Sequence, residues 1–334
     1  MASLEYAPLR NSKHTLFLDE PPACILIAPS NPSLVVIGTY VYDTEKGTKS
    51  GSLRLYRKSA GNSNLVFLDS HDTHAILDAK FSPHDPDYLA TAQTHGCLQT
   101  FRLDCGADPP SFANKRTISL FDPETILLAL TWSPMDPSLI ACTLSTGGVA
   151  IINPDLPKNN VEYSYQPHSD QAWTCEYSPD GRILYSGADD SILYAQDLET
   201  KAMVWKDRRT HGAGVTAIMA RPDSFTLLTG SYDDNLRILD LRTRGQDVGQ
   251  INLGGGVWRL GKRGTDGRSV IASCMYVGSR LVDCGEDLRT PSVVARFEEH
   301  ESMNYACDIH PMDPDTVVSC SFYDKRVCIW DIKN

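Results

Sequence analysis

Hydrophobic and polar positions alternate along this chain in short runs, the two-residue period of a half-buried β-strand. Six such runs lie at similar intervals: Asn64–Asp69, Thr117–Phe121, Val161–Gln166, Ala202–Lys206, Val248–Leu253 and Ser292–Phe297. Three further runs precede each of them, and the set recurs. The clearest copy starts at His211 and continues through VTAIMARPDSFTLLTGSYDDNLRILDLR, with counterparts from His168 and from His300. Each has a His, a short loop, an apolar run, a turn at Ser-Pro or Pro-Asp, a second run, a tight turn with Asp, and a third run ending in Trp-Asp or its equivalent.

The end of that third run falls at Tyr56, Phe101, Ile152, Gln196, Leu239, Val282 and Trp330, which are 45, 51, 44, 43, 43 and 48 residues apart. A period of this length predicts a repeat architecture in which each unit is four short antiparallel strands. Only four residues follow Trp330, too few for the last strand of the seventh unit, whereas Thr15–Leu18 is an unclaimed alternating run. Pairing it with the last unit closes a ring and removes an open sheet edge.

Trp330-Asp331, the His-to-Asp spacing and the period resemble WD repeats, which implies an all-β fold with one seven-bladed β-propeller over residues 1–334. The expected blades are 20–70, 71–121, 122–166, 167–206, 207–253, 254–297, and 298–332 with 14–19. Blades four, five and seven carry the pattern well. Blade three is degenerate, and so is blade one, which has an inserted loop near Tyr42–Gly51.

Composition narrows the function classes. The chain of 334 residues is 41% hydrophobic and 22% charged, as in globular proteins, and its net charge of −11 argues against a nucleic-acid partner. Met1–His14 holds no apolar signal core and no run of 18 apolar residues occurs, so the expectation is a cytosolic or nuclear location, the cytoplasm first, without a membrane partner. None of the ten cysteines forms a C-x-x-C pair, so they read as reduced, buried thiols, and no metal site is expected.

Three blades place a His 22 to 24 residues before an Asp: His168 with Asp190, His211 with Asp233, and His300 with Asp324. An Asp accepting from imidazole orients a general base. In WD repeats the same pair is a structural tie between the turn and the preceding loop. Blades two and six carry His95 and Tyr276 at the turn position, which either loosens that corner or frees the side chain for the mouth of the channel. G-x-S-x-G, the P-loop, H-E-x-x-H and a dinucleotide fingerprint are absent.

The innermost strands begin with Ala23, Leu77, Leu128, Trp173, Thr216, Trp258 and Tyr305 at equivalent offsets. Tyr232 and Tyr323 precede turn aspartates at the same end, and Asp189 precedes Asp190. The individual reading of Trp173 and Trp258 is a channel plug. As a group, several aromatic faces with a carboxylate suit a quaternary ammonium, leaving Arg259 for a carbonyl or carboxylate on the same ligand.

The segments GSYDD (Gly230–Asp234), GGVWRL (Gly255–Leu260), ASCM (Ala272–Met275), HESMNYACD (His300–Asp308) and CSFYD (Cys320–Asp324) are similar, in order and spacing, to the diphthine methylesterase family of diphthamide biosynthesis. That resemblance covers the C-terminal half. It implies hydrolysis of the methyl ester of methylated diphthine on translation elongation factor 2, without a cofactor; a monomer is expected because ring closure by Thr15–Leu18 removes one reason to oligomerise. The family pattern has His where this chain has Tyr276. Two sources of the nucleophile stay open: Cys274 as thiolate, or water activated by His300 with Asp324 as orienter. Arg259 or the amides of Gly254–Gly256 are the candidates for holding the oxyanion. Trp173, Trp258, Tyr305, Tyr323, Tyr232 and Asp189 are the candidate substrate-binding set. The competing reading is a non-catalytic scaffold or reader that docks protein partners on the top face.

Overall fold

The computed structural model describes residues 7–333 except 60, 62 and 244. Seven antiparallel sheets of four core strands each follow one another along the chain. Their innermost strands are Pro22–Ile27, Ile76–Phe81, Leu127–Trp132, Ala172–Tyr177, Val215–Ala220, Val257–Arg263 and Asn304–Ile309. Each packs against the next, and Asn304–Ile309 packs back on Pro22–Ile27, so the ring is closed. The chain is a seven-bladed β-propeller. The seven repeats form blades because a strand that alternates small and branched apolar residues can bury both faces between neighbouring sheets.

The N-terminus closes the ring by antiparallel pairing of Ser12–Phe17 with Arg326–Asp331, in register from Ser12 opposite Trp330 to Phe17 opposite Arg326. Leu18, just beyond, is buried in the cluster between blades seven and one with Ile25, Ile37, Val318 and Ile329. Leu9–Arg10 adds a short parallel strand to the outer edge of blade six, which the repeat pattern does not foretell. The insertion near Tyr42 is a small hairpin: Val41–Asp43 pairs with the start of the long strand Thr48–Lys58.

All seven innermost strands carry a β-bulge at their second residue. The register against the second strand skips Ala23, Leu77, Leu128, Trp173, Thr216, Trp258 and Tyr305 in turn. A bulge leaves one residue out of the ladder and re-aims its side chain. Seven equivalent positions near one end of the channel are thereby released from pairing. All ten cysteines are free thiols, and nine are buried.

Candidate functional site

The bulges collect aromatic residues from three blades. Trp173 of blade four meets Trp258 of blade six edge-on, with ring centroids 5.1 Å apart. Thr216 holds the corresponding place in blade five, and its hydroxyl donates to the Val257 carbonyl, so a small residue leaves room for that contact. Trp258 also packs on Tyr305 at 5.3 Å and on Tyr232 at 5.9 Å. Tyr305 stacks on Phe322 at 4.8 Å, which meets Tyr323 at 5.0 Å and Tyr40 at 6.1 Å. The predicted mouth residues Trp173, Trp258, Tyr232 and Tyr305 thus form one contiguous group. Tyr323 joins it only through Phe322, and 70% of Tyr323 is exposed. Phe322 and Tyr40 had no distinguishing spacing, because they sit on loops outside the bulge register.

Asp189 lies at the edge of this group. A Cβ placed on Gly214 would sit 2.7 Å from an Asp189 oxygen and 3.0 Å from the Tyr232 ring, so Gly214 permits the carboxylate and the phenol to share one corner. Burial pushes the Asp189 carboxyl above the usual carboxylate range, with the Trp173 indole pulling the other way. Burial likewise pushes the Tyr305 phenol up to about 12. The buried indole N–H of Trp258 has no hydrogen-bond partner among the described residues.

Two proposed nucleophilic systems lie elsewhere. Cys274 is fully buried in the core between blades five and six, and burial pushes its thiol up to about 12, so it is not available as a thiolate. His300 is buried too. Its Nε2 lies 2.8 Å from the Ser319 hydroxyl and its Nδ1 lies 2.8 Å from that of Ser321. Ser319 also accepts from the Trp330 indole at 3.1 Å. Both ring nitrogens are therefore committed, and burial lowers the imidazole to about 4. The Asp324 carboxylate accepts from the Glu301 amide at 2.9 Å and the Ser302 hydroxyl at 3.0 Å, ties that hold the turn to the preceding loop. His300 and Asp324 belong to this structural tie and not to the mouth.

The same tie varies between blades. His168 reaches Asp190 directly at 3.2 Å and Ser186 at 2.8 Å. In blade five Asp233 instead accepts from the Gly212 amide at 2.7 Å and from Arg237 at 2.9 Å, while His211 bonds Thr229 at 2.9 Å.

Arg259 faces the channel beneath the aromatic layer. Its guanidinium lies 5.7 Å from the Trp258 ring centroid, donates to the Leu77 carbonyl at 3.4 Å and sits 3.9 Å from Asp78. It lines a cavity of about 610 Å³ on the Ser-Pro side of the ring, together with Asp78, Lys80, Glu176, Lys262 and Asp308. Burial raises both Glu176 and Asp308, the latter to about 6. Charged residues inside otherwise apolar innermost strands were the available sequence signal for this cavity. The Gly254–Gly256 loop is shaped by close approach: a Cβ on Gly255 would fall 2.4 Å from the Met275 carbonyl oxygen.

The model of the WD domain, G-beta repeat, matches residues 159–194, 205–240 and 291–331, each running from the outermost strand of one blade into the inner strands of blade four, five or seven. A diphthine methyltransferase of Schizosaccharomyces pombe is 34% identical over 325 residues, spanning 96% of this chain and 97% of the relative. The chain belongs to the diphthine methyltransferase family. Family members from Saccharomyces cerevisiae and Homo sapiens are 27% and 26% identical, covering 99% and 92% of this chain and 100% and 71% of their own lengths. A chain in a crystal structure of the mitotic checkpoint complex superposes with a TM-score of 0.75 at 15% identity, over 97% of this chain and 96% of that one, and shares the fold. The contiguous aromatic group thus sits in a diphthine methyltransferase family member.

Proposed function

We propose that this chain binds methylated diphthine of translation elongation factor 2 at the aromatic mouth and hydrolyses its methyl ester. The observation that supports this reading is the contact of Trp258 with Trp173, Tyr232 and Tyr305 beside Asp189. A trimethylammonium group has no proton to donate, so ring faces and a carboxylate are the groups that hold it. A net charge of −11 suits a cationic side chain.

The relatives' name denotes methyl transfer, and in our reading the methoxy group is lost to water. Water adds to the ester carbonyl carbon, the bond from that carbon to the methoxy oxygen breaks, and the methoxy group takes a proton to leave as methanol. The product is the free carboxyl of diphthine, and no cofactor enters the balance. We assign Asp189 to face the ammonium, from the corner it shares with Tyr232. The reaction belongs in the cytoplasm, on a monomeric enzyme.

The test is mass spectrometry of methyl-esterified elongation factor 2 incubated with the protein. Loss of one CH2 unit supports hydrolysis, and Asp189→Asn is expected to weaken binding of the esterified factor. The burial of Cys274 and His300 away from the mouth favours one alternative, a reader that binds without reacting. An unchanged mass with retained binding would establish that alternative and overturn the hydrolase.

A further inference from the structure

Among the tight turns at the mouth, that of blade six is built differently. Tyr276 adopts a φ of 65°, in the left-handed region that bulky residues rarely occupy. In the turns of blades four, five and seven the left-handed residue comes one position later, at Ser191, Asp234 and Lys325, after the aspartates that correspond to Tyr276. Tyr276 is 74% exposed, and its ring makes no ring contact among the described residues. His95 of blade two has a similar φ of 63° but stacks on His74 with centroids 4.3 Å apart. Packing therefore accounts for His95 and does not account for Tyr276. Strain of this kind persists only where the surroundings enforce it, and it clusters at ligand clamps.

The surroundings do enforce it. A Cβ on Gly278 would lie 2.1 Å from the Phe297 carbonyl oxygen, and the close approach of Gly255 to Met275 clamps the other side. The Met275 amide donates to the Gly256 carbonyl at 2.8 Å. Gly256 in turn lies against Tyr232, its Cβ position being 3.3 Å from the Tyr232 Cα. The chain then enters Trp258 two residues later. One glycine loop thus fixes the Tyr276 turn to two walls of the mouth.

We infer that Tyr276 is a specificity-determining wall of the mouth, a ring held in readiness to cover a quaternary ammonium seated against Trp258, Tyr232 and Tyr305. The inference rests on the ammonium-binding reading above. A large ring on a rigid, strained backbone reaches the ligand without a loop closure to order, so little conformational entropy is lost on binding.

The test titrates choline and its neutral isostere 3,3-dimethylbutan-1-ol into the full chain, followed by NMR. Wild type is expected to bind choline in preference to the neutral alcohol. Tyr276→Ala weakens choline about three- to fivefold, as for loss of one cation–π face, and Tyr276→Phe restores it. Tyr276→Gly relieves the left-handed turn, so it melts no lower than wild type while also binding choline weakly. If Tyr276→Ala bound choline as wild type does while Tyr305→Leu lost it, the Tyr276 inference would fall and the mouth would stand. A wild type indifferent between choline and the alcohol would overturn the ammonium reading and the Tyr276 inference with it.

Discussion

Ser321 stands between His300 and Asp324. Its hydroxyl lies 2.8 Å from the imidazole Nδ1 and donates to the carboxylate, whereas in blade four His168 and Asp190 meet directly at 3.2 Å. The chain Asp324, Ser321, His300, Ser319, Trp330 spans blade seven from its mouth turn to its third strand. Its members consume one another's hydrogen-bonding capacity, which is how buried polar groups stabilise a blade and why they are poor catalysts.

Ser321→Ala leaves the His300 Nδ1 without a partner inside the fold, while the Asp324 oxygen keeps the Ser302 hydroxyl as donor. The expected cost is about 1–3 kcal/mol, read by urea unfolding. Turnover by the folded fraction should match wild type, and a selective loss of turnover with unchanged stability would return His300 to the chemistry.

Cys274, with its thiol held near 12, stays unmodified by iodoacetamide at pH 8 in the native state and reacts only on unfolding. Peptide mapping reads both conditions. Cys274→Ser retains hydrolysis, and rapid native-state alkylation with inactivation would contradict the assignment.

The acid side of the stability curve carries opposing groups. His211 and His300 are lowered from near 6.5 to about 4, chiefly by burial. Between those values the unfolded chain takes up protons that the native state refuses, so their effect is to lower stability as pH falls from 6.5 to 4. Asp308 is raised from 3.8 to about 6 by burial, so over that window the native state keeps a proton the unfolded chain has lost, and stability falls as pH rises. Asp308→Asn removes the second effect. The slope of unfolding free energy against pH between 4.5 and 5.5 should steepen by about one proton, or about 1.4 kcal/mol per pH unit. Urea unfolding across that range checks it, and an unchanged slope would mean that Asp308 is ionised in the fold.

Deleting residues 1–19 removes the strand Ser12–Phe17 and the buried Leu18, exposing the edge of Arg326–Asp331. Leu18→Ala alone should cost about 2–5 kcal/mol. The deletion should lower the urea midpoint further and promote association through the open edge, seen by size-exclusion chromatography. A monomer of undiminished stability would show that the closing strand contributes nothing.

The period of the chain was enough to determine the blades and their ring, because in a repeat the offset of a residue within its unit sets its height and its distance from the axis. Trp173, Trp258 and Tyr305 share one offset, so their common level near one end of the channel was legible from spacing alone. That offset is the bulged position in all seven blades. Which residues touch was decided around the ring and across it. Trp173 meets Trp258 from two blades away because Thr216 between them is small, and Phe322 and Tyr40 arrive from loops with no periodic position. Burial was also decided there. Cys274 and His300 occupy motif segments that read as chemically ready, yet neighbouring sheets desolvate both and leave His300 with two hydroxyl partners. Sequence specifies which side chains reach a given level of the propeller. Only the packing of one blade on the next determines which of them meet solvent, and therefore which can meet a substrate.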